Sequence, residues 1–250
     1  MKLLNRLLNR PVVLDFYTTN RACMDYMRPN KGIKFYPDWW KALPGEVEQH
    51  GRPASTMKRC VGFQDLYRNS LVVPMWTDTS LVVTEPEREG IAWQFPSSDF
   101  SAGVHSSHQR GDYLPSDKYQ HIKLNSPWHV VCKEDVRFAF VQAVWNFDEP
   151  EKFLIPSGVL NFKYQNAIHI NLMLPRTDKE EPLMLKAGQP MFHLIPLTER
   201  SVEYRFHLVT QAEYDMNIKS SLWFARQYSH EKAAMDANDA AGCPFSWRKL

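Results

Sequence analysis

The clearest pattern along this chain is a two-residue alternation of apolar and polar side chains in its second half. Residues 202–208 alternate strictly, and residues 168–174 place their aliphatic side chains on one face. Because successive side chains of a strand point to opposite faces, this period predicts β-strands with one buried face. Residues 136–145 are almost continuously apolar, which is typical of a central strand covered on both faces.

Shorter apolar runs predict further strands in both halves of the chain. They cover residues 12–17, 71–76, 80–84, 91–95, 159–164, 183–185 and 191–195. The polar run at 87–90 predicts a hairpin turn between two of these strands. Residues 165–166 predict a second hairpin turn, which would pair 159–164 with 168–174.

Helical spacing occurs at the two ends of the chain. An apolar stripe near the N-terminus is formed by four leucines, Leu3, Leu4, Leu7 and Leu8. The stripe ends at Pro11 and predicts a short amphipathic helix. Near the C-terminus, Thr210 and Glu213 have the spacing of a capping box, so a helix is predicted to begin at Gln211.

These elements predict a mainly β (α+β) fold, a jelly-roll or β-sandwich-like domain. We expect an N-terminal amphipathic helix over residues 1–10, a β-rich domain over 11–209, and a C-terminal helix with an aromatic tail over 210–250. No internal repeat divides the chain of 250 residues. One domain with helical appendages is therefore the simplest interpretation.

Charge and cysteine content exclude several classes of protein. The 30 basic and 28 acidic residues give a net charge of +2, which argues against dedicated nucleic-acid binding. The four cysteines are widely spaced and form no CxxC pair, so a zinc ribbon is not expected and reduced thiols are. No apolar stretch approaches the roughly 20 residues of a membrane span.

Three histidines are the candidate metal ligands. His105 and His108 lie three residues apart in an irregular segment, and His169 lies on a predicted strand. Imidazoles at such spacing can share a divalent metal ion, although the HxD pair typical of an iron facial triad is missing. GxSxG, Walker and GxGxxG motifs are also missing. The sequence thus carries no complete catalytic signature, and no cofactor is expected unless these histidines bind a metal.

Two stretches resemble known β-folds. Residues 156–196 resemble half of a cupin, which implies a metal-dependent enzyme as an alternative. Residues 187–195 resemble the late strand of the dUTPase and dCTP-deaminase type of fold, which implies a role in nucleotide metabolism. The paired histidines of cupins and the catalytic motif of dUTPases have no counterparts here.

Aromatic residues are abundant, with 8 Trp, 10 Tyr and 14 Phe. Aromatic side chains are enriched where proteins contact one another. The candidate protein-contact residues are the leucines Leu3, Leu4, Leu7 and Leu8 and the aromatic residues Trp39, Trp40, Phe245 and Trp247. We expect docking arms at both ends of the chain.

Another resemblance rests on several segments, which include residues 35–44, 56–65, 73–78, 123–128 and 188–196. These segments resemble a family of tailed-bacteriophage proteins, common in marine and cyanobacterial phages, that carries no agreed activity, and the resemblance covers roughly 12–200. It implies a phage origin, synthesis in the cytoplasm of a bacterial host, and a virion or accessory role during infection.

The first hypothesis is a non-enzymatic phage protein that acts through contacts with its own copies or with other phage proteins, as a virion structural or assembly component. The second is a cupin-like metal-dependent enzyme or a nucleotide-metabolism accessory protein. The third is an inhibitor of a host defence or transcription factor.

Overall fold

Strands are the main regular structure of the described chain, as the hydrophobic period predicts, and their pairings are mostly antiparallel. The computed structural model describes residues 10–83, 91–104, 118–149, 152–176, 182–216 and 229. Within these ranges the strands form four sheets and a separate hairpin. The predicted fold class is confirmed: the architecture is a β-sandwich-like α+β fold.

Sheet I contains the first and last strands of the described region. Its order is β10 (His129–Val131), β1 (Val12–Thr18) and β16 (Val202–Leu208). Strands β1 and β16 are parallel and in full register, with Val12 opposite Val202 and Thr18 opposite Leu208. The start of β1 and the end of β16 therefore lie at opposite ends of this strand pair.

Sheet II has five strands, two of which are buried on both faces, whereas the strand within residues 136–145, predicted to be covered on both faces, is only partly buried. Its order is β12 (Gly158–Asn161), β11 (Arg137–Gln142), β15 (Pro190–Pro196), β5 (Leu71–Pro74) and β2 (Asn30–Lys31). Consecutive residues 191–194 of β15 are all buried, as expected of a central strand.

Sheets III and IV complete the sandwich. Sheet III has the order β13 (Ile170–Pro175), β9 (Tyr119–Asn125) and β8 (Ser101–Val104). Sheet IV has the order β14 (Leu183–Leu185), β6 (Thr79–Val83) and β7 (Ile91–Gln94). The pairing of β6 with β7 confirms the first predicted hairpin, although its turn lies outside the described residues.

A small hairpin, β3 (Glu46–Gln49) with β4 (Arg52–Ser55), stands apart from these sheets. Its two turn residues, His50 and Gly51, have φ angles of 54° and 76°. Positive φ at both central positions is the requirement of a type I′ turn, whose twist matches that of the flanking strands.

The second predicted hairpin is wrong. Strand β12 pairs with β11 and strand β13 pairs with β9, so the two segments that flank residues 165–166 belong to different sheets. The buried side chain of Asn166 donates to the carbonyl oxygens of Val130 (2.8 Å) and Phe162 (2.9 Å). These bonds make the segment a corner between sheets instead of a hairpin turn.

One hydrophobic cluster joins the four sheets. Each sheet contributes fully buried or nearly fully buried side chains to it, for example Phe16 from sheet I, Phe138 from sheet II, Leu172 from sheet III and Leu81 from sheet IV. Apolar burial of this kind is the dominant favourable contribution to folding. The sheets are therefore held together mainly through their inner faces.

Three short α-helices lie between β1 and β5. Helix α1 (Arg21–Tyr26) is capped by Asn20, whose side chain accepts from the N–H of Cys23 at 2.9 Å. Helix α2 (Asp38–Ala42) and helix α3 (Val61–Arg68) precede β5, and α3 contacts β15.

The predicted start of the C-terminal helix is confirmed. Helix α4 begins at residue 211 and is described to residue 216. The N–H of Thr210 donates to the Glu213 carboxylate at 2.8 Å, which is the bond that a capping box makes. Among the described helices, none is long and apolar enough to cross a membrane. The predicted helix over residues 1–10 lies, apart from residue 10, outside the described part.

Candidate functional site

The residues singled out in the sequence are described only in part. Of the metal candidates, His169 is described, whereas His105 and His108 lie outside the described residues. Of the contact candidates, Trp39 and Trp40 are described on α2. The remaining contact candidates, Leu3, Leu4, Leu7, Leu8, Phe245 and Trp247, lie outside the described ranges.

Trp40 belongs to a stack of aromatic rings. Its ring lies on that of Tyr36, with centroids 4.3 Å apart and planes tilted by only 11°, and Tyr36 stacks in turn on Tyr67 at 4.7 Å. The ammonium group of Lys58 lies 4.2 Å from the centre of the Trp40 ring and donates to the carbonyl oxygen of Trp40 at 3.0 Å. These contacts hold α2 against the outside of the β-domain.

Trp39, the neighbour of Trp40 on α2, contacts Trp145. Their ring centroids are 6.2 Å apart, and the indole N–H of Trp39 donates to the carbonyl oxygen of Trp145 at 3.0 Å. Trp39, Val144 and Trp145 are 43%, 40% and 42% exposed. We call these three residues the aromatic surface.

Contacts of Phe63 and Asn146 hold the aromatic surface in a fixed position. Phe63 of α3 contacts both tryptophan rings, at centroid distances of 5.8 and 5.7 Å. The amide of Asn146, next to Trp145, donates to the carbonyl oxygen of Phe35 and accepts from the hydroxyl of Tyr67, both at 2.8 Å. Large rings held in this way lose little conformational freedom when a partner binds.

Sequence reasoning missed the part played by Trp145. The apolar run at 136–145 predicts a single long strand, but β11 ends at Gln142 and a 3-10 helix, Val144–Asn146, follows. Trp145 and Trp39 are 106 residues apart in the chain. No local signal relates them.

A second feature is a cleft of about 640 Å³ beside sheets II and III. We call it the polar cleft. Its lining residues are His121, Lys123, Phe140, Pro156, Ser157, Gly158, Leu160, Gln165, Ala167, His169 and Asn171. The volume is in the range of small-molecule sites.

His169 lies in this cleft in a defined tautomer. Its Nδ1 accepts from the backbone N–H of Ser126 at 3.1 Å, so the neutral ring carries its proton on Nε2. Burial, together with the nearby charge of Lys123, lowers the pKa of His169 to about 4. The ring therefore presents a neutral N–H donor at pH 7, and binding a metal through Nε2 would require breaking the bond to Ser126.

His121 is a second histidine that lines the polar cleft. Its Nε2 lies 3.3 Å from Oδ1 of Asn171 across the β9–β13 pair. Within the described ranges, no group of three His, Cys, Asp or Glu side chains is arranged to hold a metal ion. Because His105 and His108 lie outside those ranges, the metal site stays a prediction.

A hydroxyl–imidazole pair that the sequence does not reveal lies under α3. The Oγ of Ser70 is 2.9 Å from Nδ1 of His193. The exposed fractions of the two residues are 3% and 0%, and the Tyr67 ring packs edge-on against His193 at 4.9 Å. Because both side chains are almost fully buried, the pair joins the segment between α3 and β5 to β15, and the Ser70 hydroxyl is not accessible to a substrate.

The described cysteines are free thiols. Cys23 and Cys132 are buried and Cys60 is exposed, whereas Cys243 lies outside the described residues. Burial raises the pKa of Cys23 to about 12, so this thiol stays protonated at neutral pH. Cys23 therefore acts as a small apolar side chain in the core.

Comparison with known proteins adds no family to this description. No protein-family model matches the chain, and no curated protein is significantly similar to it.

Proposed function

We propose that this chain functions through protein–protein contacts, as a structural or assembly component of a tailed-phage particle. The observation that carries the proposal is the aromatic surface. Two tryptophans that are each more than two-fifths exposed are held rigidly by the rings and hydrogen bonds below them. Rigid, exposed tryptophans are the residues that contribute most to binding energy at protein interfaces.

The surroundings of the aromatic surface fit this role. On the same helix as Trp39, Lys41 and Asp38 form an exposed ion pair at 2.8 Å. An apolar centre with a charged margin is the usual arrangement of an interface that forms between separately folded proteins. We take the partner to be another protein of the particle, with a second copy of this chain as the alternative.

The topology of sheet I supports contacts at two further places. Because β1 and β16 are parallel, the segment before Val12 and the segment after Leu208 are attached at opposite ends of a seven-residue strand pair. At about 3.3 Å per residue, these ends are roughly 20 Å apart. Docking arms at residues 1–10 and 210–250 would thus reach two different neighbours.

Under this proposal the protein is made in the cytoplasm of the infected bacterium and then enters the particle. Quantitative mass spectrometry of purified particles is the direct test. We expect the chain to be present in a fixed number of copies per particle. Absence of the chain from purified particles would exclude a structural component.

The aromatic surface is tested by the double variant Trp39→Ala with Trp145→Lys. We expect incorporation into particles to fall at least tenfold, because the variant removes one ring and places a charge at the contact. Trp93→Ala is the matched control, since Trp93 is 39% exposed on β7 of sheet IV and is not part of the aromatic surface. Melting temperatures of the variants check that each one folds.

Light scattering of the purified chain identifies the partner. If the wild type is an oligomer and the double variant is a monomer, the partner is a second copy. If the wild type is a monomer that enters particles, the partner is another phage protein. Equal incorporation of the folded double variant and the wild type would contradict the role assigned to the aromatic surface.

A further inference from the structure

The polar cleft is a second binding feature, and it is independent of the aromatic surface. Its lining residues come from the β9–β13 pair of sheet III, from the β11–β12 pair of sheet II and from the segments next to these strands. Lys123 and Asn171 are opposite each other on the first pair, and Phe140 and Gly158 are opposite each other on the second. Residues directly opposite in a sheet share a face, so the register brings polar and apolar groups to the same opening.

Donors dominate the polar side of the cleft. Lys123 supplies a positive charge, and His169 supplies the N–H on Nε2 that its bond to Ser126 leaves available. The hydroxyl of Ser157 and the amide of Gln165 lie at the exposed rim. None of the described residues that line the cleft is acidic, so its polar side is complementary to an anion.

The opposite side of the cleft is apolar. Phe140 is 6% exposed and stacks on Phe192, with ring centroids 3.9 Å apart. Pro156, Leu160 and Ala167 extend this wall. A ligand that fits both sides carries an anionic group and an apolar body of about the size of a ring.

Two glycines leave the space unfilled. Gly158 lies opposite Phe140, and Gly103 lies opposite Lys123. A Cβ atom added at either position would have no heavy atom within 4 Å. Any other residue at Gly158 would project a side chain on the face of Phe140, into the opening.

We propose that the polar cleft binds a small organic anion, with its carboxylate or phosphate on Lys123 and on Nε2–H of His169 and its apolar body against Phe140 and Leu160. This role goes beyond the contact function proposed above. It requires no metal and no covalent step.

Titration followed by isothermal calorimetry and by amide chemical shifts tests the proposal. The probes are benzoate and phenyl phosphate. The control compounds are inorganic phosphate, an anion without an apolar ring, and benzamide, an aromatic ring without a charge. We expect benzoate or phenyl phosphate to bind at least tenfold more tightly than either control compound. The tighter of the two identifies the anionic group as a carboxylate or a phosphate.

Two variants locate the binding in the cleft. Lys123→Met removes the charge, and Gly158→Leu places a side chain in the opening, at a position where an added Cβ atom has no heavy atom within 4 Å. We expect each change to weaken binding of the better probe at least tenfold. Lys186→Met is the control, because Lys186 is exposed on the loop between β14 and β15 and does not line the cleft.

Shift changes in the wild type that cluster at Lys123, Ala167 and His169 would support the proposal even if Lys123→Met fails to fold. The proposal is overturned if neither aromatic anion binds more tightly than its control compounds. It is also overturned if Gly158→Leu folds and binds the probe as tightly as the wild type does.

Discussion

At the scale of single residues, Gly32 shows how closely two segments approach in this fold. Its N–H donates to the carbonyl oxygen of Ser70 at 2.8 Å. A Cβ atom at this position would lie 2.4 Å from the carbonyl oxygen of Tyr67 and 2.6 Å from Oγ of Ser70. Backbone atoms cannot move aside as a flexible side chain can, so the position requires glycine.

We therefore expect Gly32→Ala to lower the free energy of unfolding by about 3 kcal/mol, because the added methyl group overpacks the contact. Gly62→Ala is the matched control, since nothing lies within 4 Å of its added Cβ and residue 62 is in helix α3. There the change is expected to stabilise the protein by about 0.5 kcal/mol through helix propensity. Urea denaturation of both variants measures the two effects, and equal midpoints would show that the Gly32 contact can relax.

The buried histidines are the other residue-level feature that the sequence could not reveal. The sequence predicts His169 only as a candidate metal ligand and predicts no role for His193. Their surroundings decide their chemistry, because burial lowers the pKa of both to about 4. Both imidazoles are neutral at pH 7, and each can donate or accept a hydrogen bond without carrying a charge.

At the scale of secondary-structure elements, the corner at Asn166 determines which strands pair. The two amide bonds of Asn166 satisfy carbonyl oxygens of Val130 and Phe162, and the N–H of Val130 donates to the carbonyl oxygen of Asn166 at 2.7 Å. The segment that the sequence predicts as a hairpin turn is thereby fixed to β10 of sheet I. Strand β13 is then directed to β9.

Removing the amide of Asn166 should lower the free energy of unfolding more than removing a comparable surface amide does. We expect Asn166→Ala to lower the free energy of unfolding by about 3 kcal/mol, because two carbonyl oxygens in a buried site each lose the side-chain donor of Asn166. The control is Asn125→Ala, since Asn125 makes one exposed bond to Ser101 at 2.9 Å and its loss should cost less than about 1 kcal/mol.

Asn166→Asp extends the test, since a carboxylate cannot donate to the two carbonyl oxygens. It should be at least as destabilising as Asn166→Ala. Chemical denaturation with tryptophan fluorescence measures all three variants. If Asn166→Ala lowers the free energy of unfolding no more than Asn125→Ala does, the role of the Asn166 corner is contradicted.

At the scale of the whole molecule, three buried or half-buried histidines lie in or beside three of the sheets, and their imidazoles are neutral. These are His129 in sheet I, His193 in sheet II and His169 beside sheet III, and burial lowers the pKa of each to about 4. In the unfolded chain their pKa is near 6.5. Below pH 6.5 the unfolded state binds protons that the folded state does not, so stability falls as the pH falls from about 6.5 to about 4.

We expect acid to destabilise the protein before its carboxylates titrate. Each histidine contributes at most about 1.4 kcal/mol per pH unit in this window. Urea midpoints at pH 7.5, 6.5 and 5.5 measure the slope, which His193→Gln should reduce by about one third. His50→Asn is the control, because His50 is exposed in the β3–β4 turn and asparagine tolerates its positive φ. A slope near zero between pH 6.5 and 5.5 would contradict the neutral state of these histidines.

The sequence by itself determined the positions of most strands, the fold class and the start of the C-terminal helix. These features depend on residues close together in the chain: a period of two aligns apolar side chains on one face of a strand, and Thr210 reaches Glu213 within one helical turn. Strand pairing depends instead on packing between distant segments. Only the tertiary structure therefore decided that β1 lies parallel to β16 and that β12 and β13 separate. Trp39 contacts Trp145, and Lys123 lines the same cleft as His169, for the same reason: packing of the sheets and helices that carry them brings together side chains that no local pattern relates.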